Sequence, residues 1–324
     1  MKKYNVLVTA ISGDVANSIL KCFQNADIIN ELYGCDIYQY PCGLNKVKKS
    51  FQVVPCKQEV VYLQQLLDIC CEYSIDVIVP SNEHEIKCIS KNRGIFLDNG
   101  IRCLIHEESV YDVFFNKMNT IRLLEQLNLP AIPTFYADEY ADELEYPILV
   151  KDTFGSGSKS VTLVNSQKEY SVLGDLGHHQ IVQKYIGSLD REYTVPVFSS
   201  NGGKNIHIIP FKRKLSTMGY TSFIEPVDGE VFEKIRKICH TVASKVNLYG
   251  SIDLQMREEN GQFYIFECNP RLSGTVHFRH MLGFSDAIWW LKYVLNSETE
   301  FIYISQKQKY VGIRELNEEI VWLN

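Results

Sequence analysis

Short apolar runs alternate with amphipathic segments along the first hundred residues. The runs are rich in β-branched residues, and the segments between them carry apolar residues three and four positions apart, which indicates helices. This order predicts strands over residues 5–9, 35–38, 76–79 and 102–105, and helices over residues 15–23, 60–73 and from residue 83. Such alternation is typical of a parallel sheet covered by helices on both faces, which binds ligands beyond the carboxyl ends of its strands.

The pattern changes after residue 110. A helix is predicted over residues 111–127, with Asn116 and Lys117 in its first half, and strands dominate from there on. The later elements are predicted strands at 147–151, 160–163, 180–185, 192–198, 205–210, 221–224, 250–256 and 262–267, and helices at 231–248 and 284–295. Asn201-Gly202-Gly203 is a hairpin signal, because glycine adopts the positive φ of tight β-turns. The predicted fold class is therefore α/β followed by α+β with antiparallel sheets.

Composition and charge exclude several classes of protein. The chain has 324 residues, enough for about two domains. Its net charge is −6, so it lacks the positive field of nucleic-acid binders. Its apolar stretch 287–295 contains Lys292 and is shorter than the ~20 residues that span a bilayer. Several of the ten cysteines lie in apolar runs, without metal-ligand spacing. We therefore expect reduced thiols, a cytoplasmic location, and neither nucleic acid nor membrane as a partner.

A glycine- and serine-rich loop follows one of the predicted strands. Residues 147–161 are PILVKDTFGSGSKSV, so a strand that ends at Lys151 leads into a loop with Gly155 and Gly157 and then into another strand. Small residues let backbone N–H groups approach an anion, and hydroxyl and lysine side chains add donors. The loop matches neither the P-loop nor the G-x-G-x-x-G pattern. From these residues alone it is either a phosphate-binding loop or a simple Gly/Ser hairpin.

Oxygen-bearing side chains cluster on two late predicted strands. Asp253 lies in SIDL, and Glu267 and Asn269 in FYIFECNPRLSGT stand two residues apart, with Arg271 next on the same side of an extended chain. Three oxygen ligands beside a guanidinium suit a Mg²⁺ ion that bridges nucleotide phosphates. The alternative is that Asp253 and Glu267 are cross-strand surface charges, which would place a charge between apolar neighbours in otherwise buried strands.

In this order the motifs resemble the ATP-grasp superfamily, and most closely the carboxylate–amine ligases that are similar to the carbamoyl-phosphate synthase large chain. The motifs are Asn116-Lys117, Lys151 with the Gly/Ser loop, Gln183-Lys184-Tyr185-Ile186, Glu192-Tyr193-Thr194-Val195, Asp253, and Glu267-x-Asn269-Pro270-Arg271. The resemblance covers nearly the whole chain. It implies a Rossmann-like pre-ATP-grasp domain of residues 1–110 and a two-lobed ATP-grasp fold, with a small lobe of residues 111–187 and a C-terminal lobe of residues 188–324.

The resemblance also implies a role for each matching residue. The residues implied to bind ATP are Lys117 and Lys151 at the phosphates, Gly155, Ser156, Gly157 and Ser158 in the covering loop, Gln183, Lys184, Tyr185 and Ile186 at the adenine hinge, and Glu192 at the ribose hydroxyl groups. The family usually has Glu at the position of Gln183. Asp253, Glu267 and Asn269 match Mg²⁺ ligands, with Glu267 bridging two ions. Arg271 matches the residue that steadies the transferring phosphate.

Four further residues are candidates at the acceptor site, Arg213 and Lys214 as catalytic residues and Arg279 and His277 for contact with the substrate. Arg213 and Lys214 belong to the basic cluster 212–214 on a segment that in the family faces the γ-phosphate and the substrate, and the alternative for a charge run is a solvated face. Arg279 carries the planar donors that bind a carboxylate at two points, and its alternative is an exposed charge at a helix start. His277 stands near the active-site strand and is a candidate for substrate contact.

The resemblance implies an ATP- and Mg²⁺-dependent ligase, with Mn²⁺ as an alternative ion. ATP would phosphorylate a substrate carboxylate, and an amine would attack the acyl phosphate. The expected partners are these two small molecules, with a second copy of the chain in a homodimer. Such phosphoryl transfer needs positioning and electrostatic clamping and no Ser/His/Asp triad. The alternatives are a small-molecule kinase and a nucleotide-binding module without ligation; a module need not keep the metal ligands, so their presence favours an enzyme.

Overall fold

The N-terminal region forms the parallel sheet that the alternation predicts. A computed structural model describes residues 2–155, 160–174, 176–306 and 308–315 of the protein. The elements of this region are β1 (Tyr4–Thr9), α1 (Asp14–Phe23), β2 (Ile29–Asp36), β3 (Lys49–Gln52), α2 (Glu59–Glu72), β4 (Val77–Val79), α3 (Glu83–Lys91), α4 (Arg93–Asp98) and β5 (Arg102–Cys103). The strands pair in parallel in the order β3-β2-β1-β4-β5.

Alternating side chains of this sheet enter two different cores. Leu7 and Ile78 pack beneath α2 and α3, whereas Val6 and Val8 point to the opposite face and pack with Phe23 of α1. The second core continues into the C-terminal part of the chain, which contributes Phe198, Phe284, Trp289, Trp290 and Leu291. The N-terminal sheet and the C-terminal part therefore share one apolar core.

The predicted helix over residues 111–127 is in fact two helices. α5 (Glu108–Phe114) ends before Asn116, and α6 (Lys117–Gln126) begins directly after it. The Asn116 side chain accepts hydrogen bonds from the backbone N–H groups of Met118 and Asn119 at 2.9 and 3.4 Å. Asparagine favours a helix start over a helix interior because its side chain satisfies these free N–H groups. Lys117 is consequently the first residue of a helix.

An antiparallel sheet follows, with four strands in the described residues. Its elements are β6 (Thr134–Tyr136), β7 (Ile148–Asp152), β8 (Thr162–Val164), the short helix α7 (Gln167–Ser171) and β9 (Gln180–Lys184). The strand order is β6-β9-β7-β8. Lys151 on β7 pairs with Ile181, and Leu149 pairs with Gln183. Gln183 is therefore the diagonal cross-strand neighbour of Lys151.

The remaining described elements build a larger antiparallel sheet with helices packed on it. They are β10 (Glu192–Ser199), β11 (Ile206–Ile208), β12 (Phe211–Leu215), β13 (Thr221–Pro226), α8 (Gly229–Lys245), β14 (Gly250–Glu259), β15 (Gln262–Asn269), α9 (Val276–Met281), α10 (Asp286–Val294) and β16 (Gly312–Ile313). The strand order is β15-β14-β10-β12-β13-β16, and β11 pairs with β10. None of the helices in the described residues has the length and apolar character needed to cross a membrane.

A tight turn joins β14 to β15. Asn260 and Gly261 at this turn both have positive φ, 52° and 78°, a conformation that asparagine and glycine tolerate best. The turn fixes the register of the hairpin, which places Asp253 directly opposite Asn269 at its far end.

A β-bulge interrupts the same hairpin. The register shifts between Gln255 and Met256, which leaves Phe266 as an extra residue on β15. Ile265 and Cys268 therefore both lie in the core although they are three residues apart, while Glu267 and Asn269 line a cavity. Strict alternation without the bulge would send Ile265, Glu267 and Asn269 to one face.

Candidate active site

Two adjoining cavities lie where the four-stranded sheet meets β14 and β15. The lysine cavity is lined by residues of α6, the four-stranded sheet, β14 and β15. The acidic cavity, with a volume of about 210 Å³, is lined by residues of α1, β10, β12, β14 and β15 and by the segment after β15. Among the described residues, Glu267 is the only one that lines both.

Lys117 and Lys151 face the lysine cavity from two directions. The Nζ of Lys117 donates to the carbonyl of Gly155 at 2.6 Å, which ties the start of α6 to the start of the Gly/Ser loop. The Nζ of Lys151 donates to Oε1 of Gln183 at 2.7 Å and to the carbonyl of Phe266, the bulged residue, at 3.5 Å. The structure thus brings the two predicted phosphate-binding lysines to one cavity.

Burial governs the charge of Lys151. This residue is 5% exposed, and burial lowers the pKa of its ammonium group to about 7. The like charges of Lys117 and Arg257 act in the same direction, and Glu267 opposes them. The direct partner, Gln183, is a neutral amide where the resembled family usually has a carboxylate. A phosphate group in this cavity would therefore supply the negative charge that Lys151 lacks.

Three of the four predicted hinge residues line the lysine cavity, namely Gln183, Lys184 and Ile186. The side-chain amide of Gln183 is engaged at both ends, because its Nε2 also donates to Oγ1 of Thr134 at 2.8 Å. Gln183 is 1% exposed, so this amide holds β6, β7 and β9 together beneath the cavity.

Tyr185 is placed differently from its three neighbours. Its ring packs against the guanidinium of Arg257 at 5.2 Å, and its backbone N–H donates to the carbonyl of Pro147 at 3.2 Å. The N–H of Tyr185 is therefore engaged within the protein, and the role of this segment at an adenine edge stays a prediction.

The Gly/Ser loop begins at Gly155, which lines the lysine cavity with a φ of 109°. Glycine suits this left-handed backbone conformation because it has no Cβ. Ser156, Gly157 and Ser158 lie outside the described residues, so their contact with phosphate groups stays a prediction.

The predicted metal ligands share one face of the β14–β15 hairpin. Asp253 lies opposite Asn269, and Gln255 lies opposite Glu267, so the four polar side chains form two neighbouring cross-strand pairs in the acidic cavity. Asp253 and Asn269 are 1% and 3% exposed. The hydroxyl of Thr194 donates to Oδ1 of Asp253 at 2.7 Å and fixes that carboxylate.

Opposing electrostatic effects act on the pKa of the Glu267 carboxyl group in the acidic cavity. Burial raises the pKa of its carboxyl group, and the negative charge of Glu83 acts in the same direction. The positive charges of Lys117, Lys151 and Arg271 oppose this shift. A further cation at this position would stabilise the ionised carboxylate.

Arg271 lies at the edge of the acidic cavity with part of its donor capacity unused. Its Nη2 donates to Oδ1 of Asn269 at 3.0 Å and to Oε1 of Glu83 at 3.3 Å, and its Nη1 donates to the carbonyl of Leu272 at 3.2 Å. Its Nε is buried without a hydrogen-bond partner among the described residues. An unsatisfied guanidinium nitrogen beside a cavity is available to an anionic ligand.

The donor set of the acidic cavity fits Mg²⁺. Asp253, Glu267 and Asn269 offer two carboxylates and an amide oxygen, and Mg²⁺ usually completes such a partial set with waters and substrate phosphates. The part of the chain that the structure describes contains no group of three or more His, Cys, Asp and Glu side chains that could hold a metal. The unsatisfied Nε of Arg271 beside these ligands suits the phosphate oxygens that would complete the set.

Glu192 and Arg213 form a buried ion-pair network. Oε1 of Glu192 accepts from Arg213 Nη2 and Nε at 2.7 and 3.0 Å, and Oε2 accepts from Arg257 Nη2 and Nε at 3.0 and 3.1 Å. Glu192 is 3% exposed and lines neither cavity. This corrects the prediction that Glu192 is offered to ribose hydroxyl groups. Arg213 does line the acidic cavity, where its Nη2 also donates to Oε1 of Gln255 at 2.9 Å.

Lys214 points away from both cavities. It follows Arg213 on β12, and successive side chains of a strand point to opposite faces. Its ammonium group lies 5.4 Å from the ring centre of Phe223, and the residue is exposed. The catalytic role predicted for Lys214 is therefore corrected to a position on the solvated face.

Arg279 and His277 also lie away from the predicted substrate position. Arg279 is 0% exposed and pairs with Asp286, so its predicted contact with a substrate carboxylate is corrected to a structural ion pair. His277 is half-buried on α9 and lines neither cavity. Burial lowers the pKa of His277 to about 4, and the positive charges of Lys21 and Arg314 add to this effect.

The motifs do not identify four residues that line the site or touch it. Gln255 and Arg257 follow Asp253 at intervals of two on β14, so the same strand alternation could have found them. Asp14 lines the acidic cavity from α1, and Glu83 of α3 reaches Arg271 from 188 positions away in the sequence. No local pattern predicts a contact over such a separation.

Family models match most of the chain. A model described as an ATP-grasp domain matches residues 114–275, and one described as a PylC-like N-terminal domain matches residues 6–104. The methylcrotonoyl-CoA carboxylase alpha subunit of Arabidopsis thaliana is 26% identical over 227 residues, which are 62% of this chain and 30% of that protein. The carbamoyl phosphate synthase large chain of Thermotoga neapolitana is 26% identical over 151 residues, 43% of this chain and 14% of that protein.

The fold has solved counterparts. The biotin carboxylase of Campylobacter jejuni, crystallised as a β,γ-ATP complex, superposes with a TM-score of 0.71 at 16% identity, covering 95% of this chain and 73% of that one. At this identity the likeness concerns the fold. The chain spans less than a third of the two curated relatives described above.

Proposed function

The chain belongs to the ATP-grasp family, and on that premise we propose that it is an ATP- and Mg²⁺-dependent carboxylate–amine ligase. In the proposed reaction a carboxylate oxygen attacks the γ-phosphorus of ATP, and ADP leaves. An amine then attacks the acyl carbon, and inorganic phosphate leaves with the proton that the amine gives up. Such transfers depend on positioning and charge stabilisation.

One observation carries the proposal, which is that Glu267 forms the common wall of the lysine cavity and the acidic cavity. A nucleotide whose phosphates meet Lys117 and Lys151 would end beside Glu267. A carboxylate in the acidic cavity would approach the same side chain from the other side. The γ-phosphoryl group would therefore be transferred from ATP to the carboxylate at the boundary between the two cavities.

The described residues of the site have separate roles in the proposed reaction. Lys117 and Lys151 bind and orient the phosphates. Asp253, Glu267 and Asn269 would hold Mg²⁺, which neutralises phosphate charge when it is bound. The unsatisfied Nε of Arg271 donates to an oxygen of the transferring group.

Substrate-stimulated release of ADP tests the proposal. Purified protein is incubated with ATP, MgCl₂ and pairs drawn from a panel of amino acids, sugar acids and small amines, and ADP is measured by a coupled assay. We expect ADP release that requires both a carboxylate and an amine. Glu267→Gln should abolish this release, because it removes the charge shared by the two cavities. Glu230→Gln, in a surface pair with Lys234, is the matched control and should keep full activity.

The assay also separates the proposal from its alternatives. A product that carries the phosphate and needs no amine would identify a small-molecule kinase. ATP binding without ADP release across the panel would identify a nucleotide-binding module. Full turnover by Glu267→Gln would contradict its role at the metal.

The proposal extends to the ion, the location and the assembly. Mn²⁺ takes the same oxygen ligands as Mg²⁺ and is the proposed substitute. All ten cysteines lie in the described residues as free thiols, which supports a reducing, cytoplasmic location. The homodimer stays a prediction, and sedimentation of the full chain checks it.

A further inference from the structure

A third cavity, the interdomain cavity, lies between the N-terminal sheet and the C-terminal part of the chain. Its volume is about 460 Å³, within the ~300–1,000 Å³ typical of small-molecule sites. Its walls come from α4, β5 and the start of α5 on one side, and from the α8–β14 connection and α10 on the other. It shares no lining residue with the lysine cavity or the acidic cavity in the described residues.

Two arginines give this cavity a positive charge. Arg102 Nη1 donates to the carbonyl of Val294 at 2.7 Å, and no carboxylate of the described residues forms an ion pair with Arg102. Arg93 Nη1 pairs with Glu107 at 2.7 Å, and its Nε is buried with no hydrogen-bond partner in the described part of the chain. Glu107 therefore offsets one of the two guanidinium charges, and donors remain on both arginines.

The imidazole of His106 lies in the same wall, held between two backbone carbonyls. Its two ring nitrogens face the carbonyls of Tyr249 and Ser251, each at 2.9 Å. Burial lowers the pKa of His106 to about 4, against the opposing effect of these two carbonyls. The guanidinium charge that Glu107 leaves without a carboxylate among the described residues of this cavity is that of Arg102.

Flat aromatic surface lies beside the arginines. The rings of Tyr249 and Tyr293 stack at 5.8 Å with an angle of 20° between their planes, and Trp290 lines the cavity next to them. Tyr249 is 37% exposed, so its ring is accessible. A planar ring finds a stacking surface there, while an attached anion finds guanidinium donors.

We propose that the interdomain cavity binds a small anion that carries a planar ring, with its phosphate or carboxylate at Arg93 and Arg102. The ligand contacts both the N-terminal sheet and the C-terminal part, so its binding stabilises their mutual packing. The proposal is independent of the ligase reaction.

Calorimetric titration of the full chain tests the site with four probes. Cytidine monophosphate and 4-hydroxybenzoate carry both features, whereas inorganic phosphate lacks the ring and cytidine lacks the anion. We expect cytidine monophosphate or 4-hydroxybenzoate to bind and to raise the melting temperature, and each single-feature probe to bind at least about tenfold more weakly. The stronger of the first two probes distinguishes a phosphate site from a carboxylate site.

Two variants locate the binding. Arg102→Gln removes the charge and Tyr249→Leu removes the stacking ring, and each should weaken the binding probe by about tenfold or more. Arg236→Gln, at an exposed pair with Glu233 on α8, is the matched control and should bind as the original protein does. Since none of these residues lines the active-site cavities, the binding of ATP should be unchanged in all three variants.

Three results would overturn the proposal. The first is the absence of binding by both two-feature probes. The second is binding that survives both Arg102→Gln and Tyr249→Leu. The third is a dimer in sedimentation that Arg102→Gln dissociates, because a second copy of the chain would then occupy this face.

Discussion

Arg271 and Arg279 lie eight residues apart, yet they end in opposite environments. Arg271 follows β15 at the edge of the acidic cavity, 13% of its side chain is exposed, and its Nε has no partner in the residues that the structure describes. Arg279 lies on α9 with 0% exposure, and every guanidinium nitrogen donates. The comparison shows that donors left unused distinguish an arginine that is available to a ligand from one that only stabilises the fold.

The hydrogen-bond partners of Arg279 explain why its side chain is closed to ligands. Its Nε and Nη2 donate to the two carboxylate oxygens of Asp286 at 2.8 and 2.7 Å, and its Nη1 donates to the hydroxyl groups of Ser273 and Thr275 at 2.9 and 3.0 Å. Asp286 also accepts from the hydroxyl of Ser251 at 2.5 Å. This network fixes the segment that follows β15 against β14 and α10.

The largest expected effect comes from breaking the buried ion pair between Arg279 and Asp286. Arg279→Met should lower the free energy of unfolding by about 3–5 kcal/mol, because it leaves the charge of Asp286 buried and unpaired. The double variant Arg279→Met/Asp286→Leu should recover part of the loss. Urea unfolding followed by circular dichroism measures both. Arg236→Met, at an exposed pair, serves as the control and should change stability by less than about 1 kcal/mol. If Arg279→Met kept normal stability but altered ADP release, Arg279 would act on the ligand and would not be a purely structural arginine.

The available arginine should show the opposite behaviour. Arg271→Ala should lower kcat for ADP release by about 10²–10³-fold, the usual effect of removing one donor to a developing charge. Its unfolding free energy should change by about 1 kcal/mol or less, because Glu83 is partly exposed and can be hydrated. Steady-state kinetics and urea unfolding of the same preparation check both values. An unchanged kcat with a large loss of stability would place Arg271 in the same class as Arg279.

The comparison extends to buried carboxylates. Glu85 is 6% exposed and, unlike Asp286, accepts hydrogen bonds only from neutral groups in the described residues, the side chains of Thr9, Tyr62 and Asn82 at 2.5, 2.8 and 2.7 Å. Burial raises the pKa of Glu85 to about 7 from its usual value of 4.5. Without a cation, this carboxyl group is protonated in the folded state over a pH range where it is ionised in the unfolded chain.

The contribution of Glu85 to stability should therefore fall as the pH rises through this range. The folded protein binds more protons than the unfolded chain between pH 4.5 and about 7, so the contribution of Glu85 is complete below that range and lost above it. Glu85→Gln should remove a pH dependence of roughly 3 kcal/mol between pH 4.5 and pH 8. Urea unfolding at several pH values compares the variant with the original protein. Parallel profiles for the two proteins would mean that Glu85 has a cationic partner in solution.

The smallest effect is expected at the contact between Arg271 and the N-terminal sheet. Glu83→Gln keeps the size of the side chain and weakens its hold on the Nη2 of Arg271 at 3.3 Å. Since both side chains are partly exposed, the loss should be about 1 kcal/mol, or roughly fivefold in kcat, with KM for ATP unchanged. Glu31→Gln, in a surface pair with Lys48, should have no effect. A change confined to KM would mean that Glu83 acts on the nucleotide and not on Arg271.

Sequence patterns predict the elements that follow from local periodicity. The alternating order of strands and helices gives the parallel sheet, and the spacing of Asp253, Glu267 and Asn269 gives their common cavity. The bulge at Phe266 is not visible in that spacing, although it allows Ile265 to stay in the core while Glu267 leaves it. The spacing therefore led to side chains that do share a cavity, through an incomplete account of the strand, and their role as metal ligands stays a prediction.

Other features depend on partners that are distant in the sequence. Arg279 and Arg271 are both arginines in a polar stretch, and only the packing of α9 against α10 and β14 shows that one of them is enclosed. Asn116 ends one helix and begins another because its side chain caps the second, and hydrophobic spacing alone does not reveal that choice. The contact of Glu83 with Arg271 follows from the docking of the N-terminal sheet.

The apolar core shared by β1, α1 and α10 limits how freely evolution can recombine this protein. Val6, Val8 and Phe23 lie in one cluster with Phe284 and Trp289. An ancestor that exchanged its N-terminal sheet for another would have had to replace both halves of that cluster together. The first hundred residues are thus bound to the C-terminal part by shared packing and are not an interchangeable module.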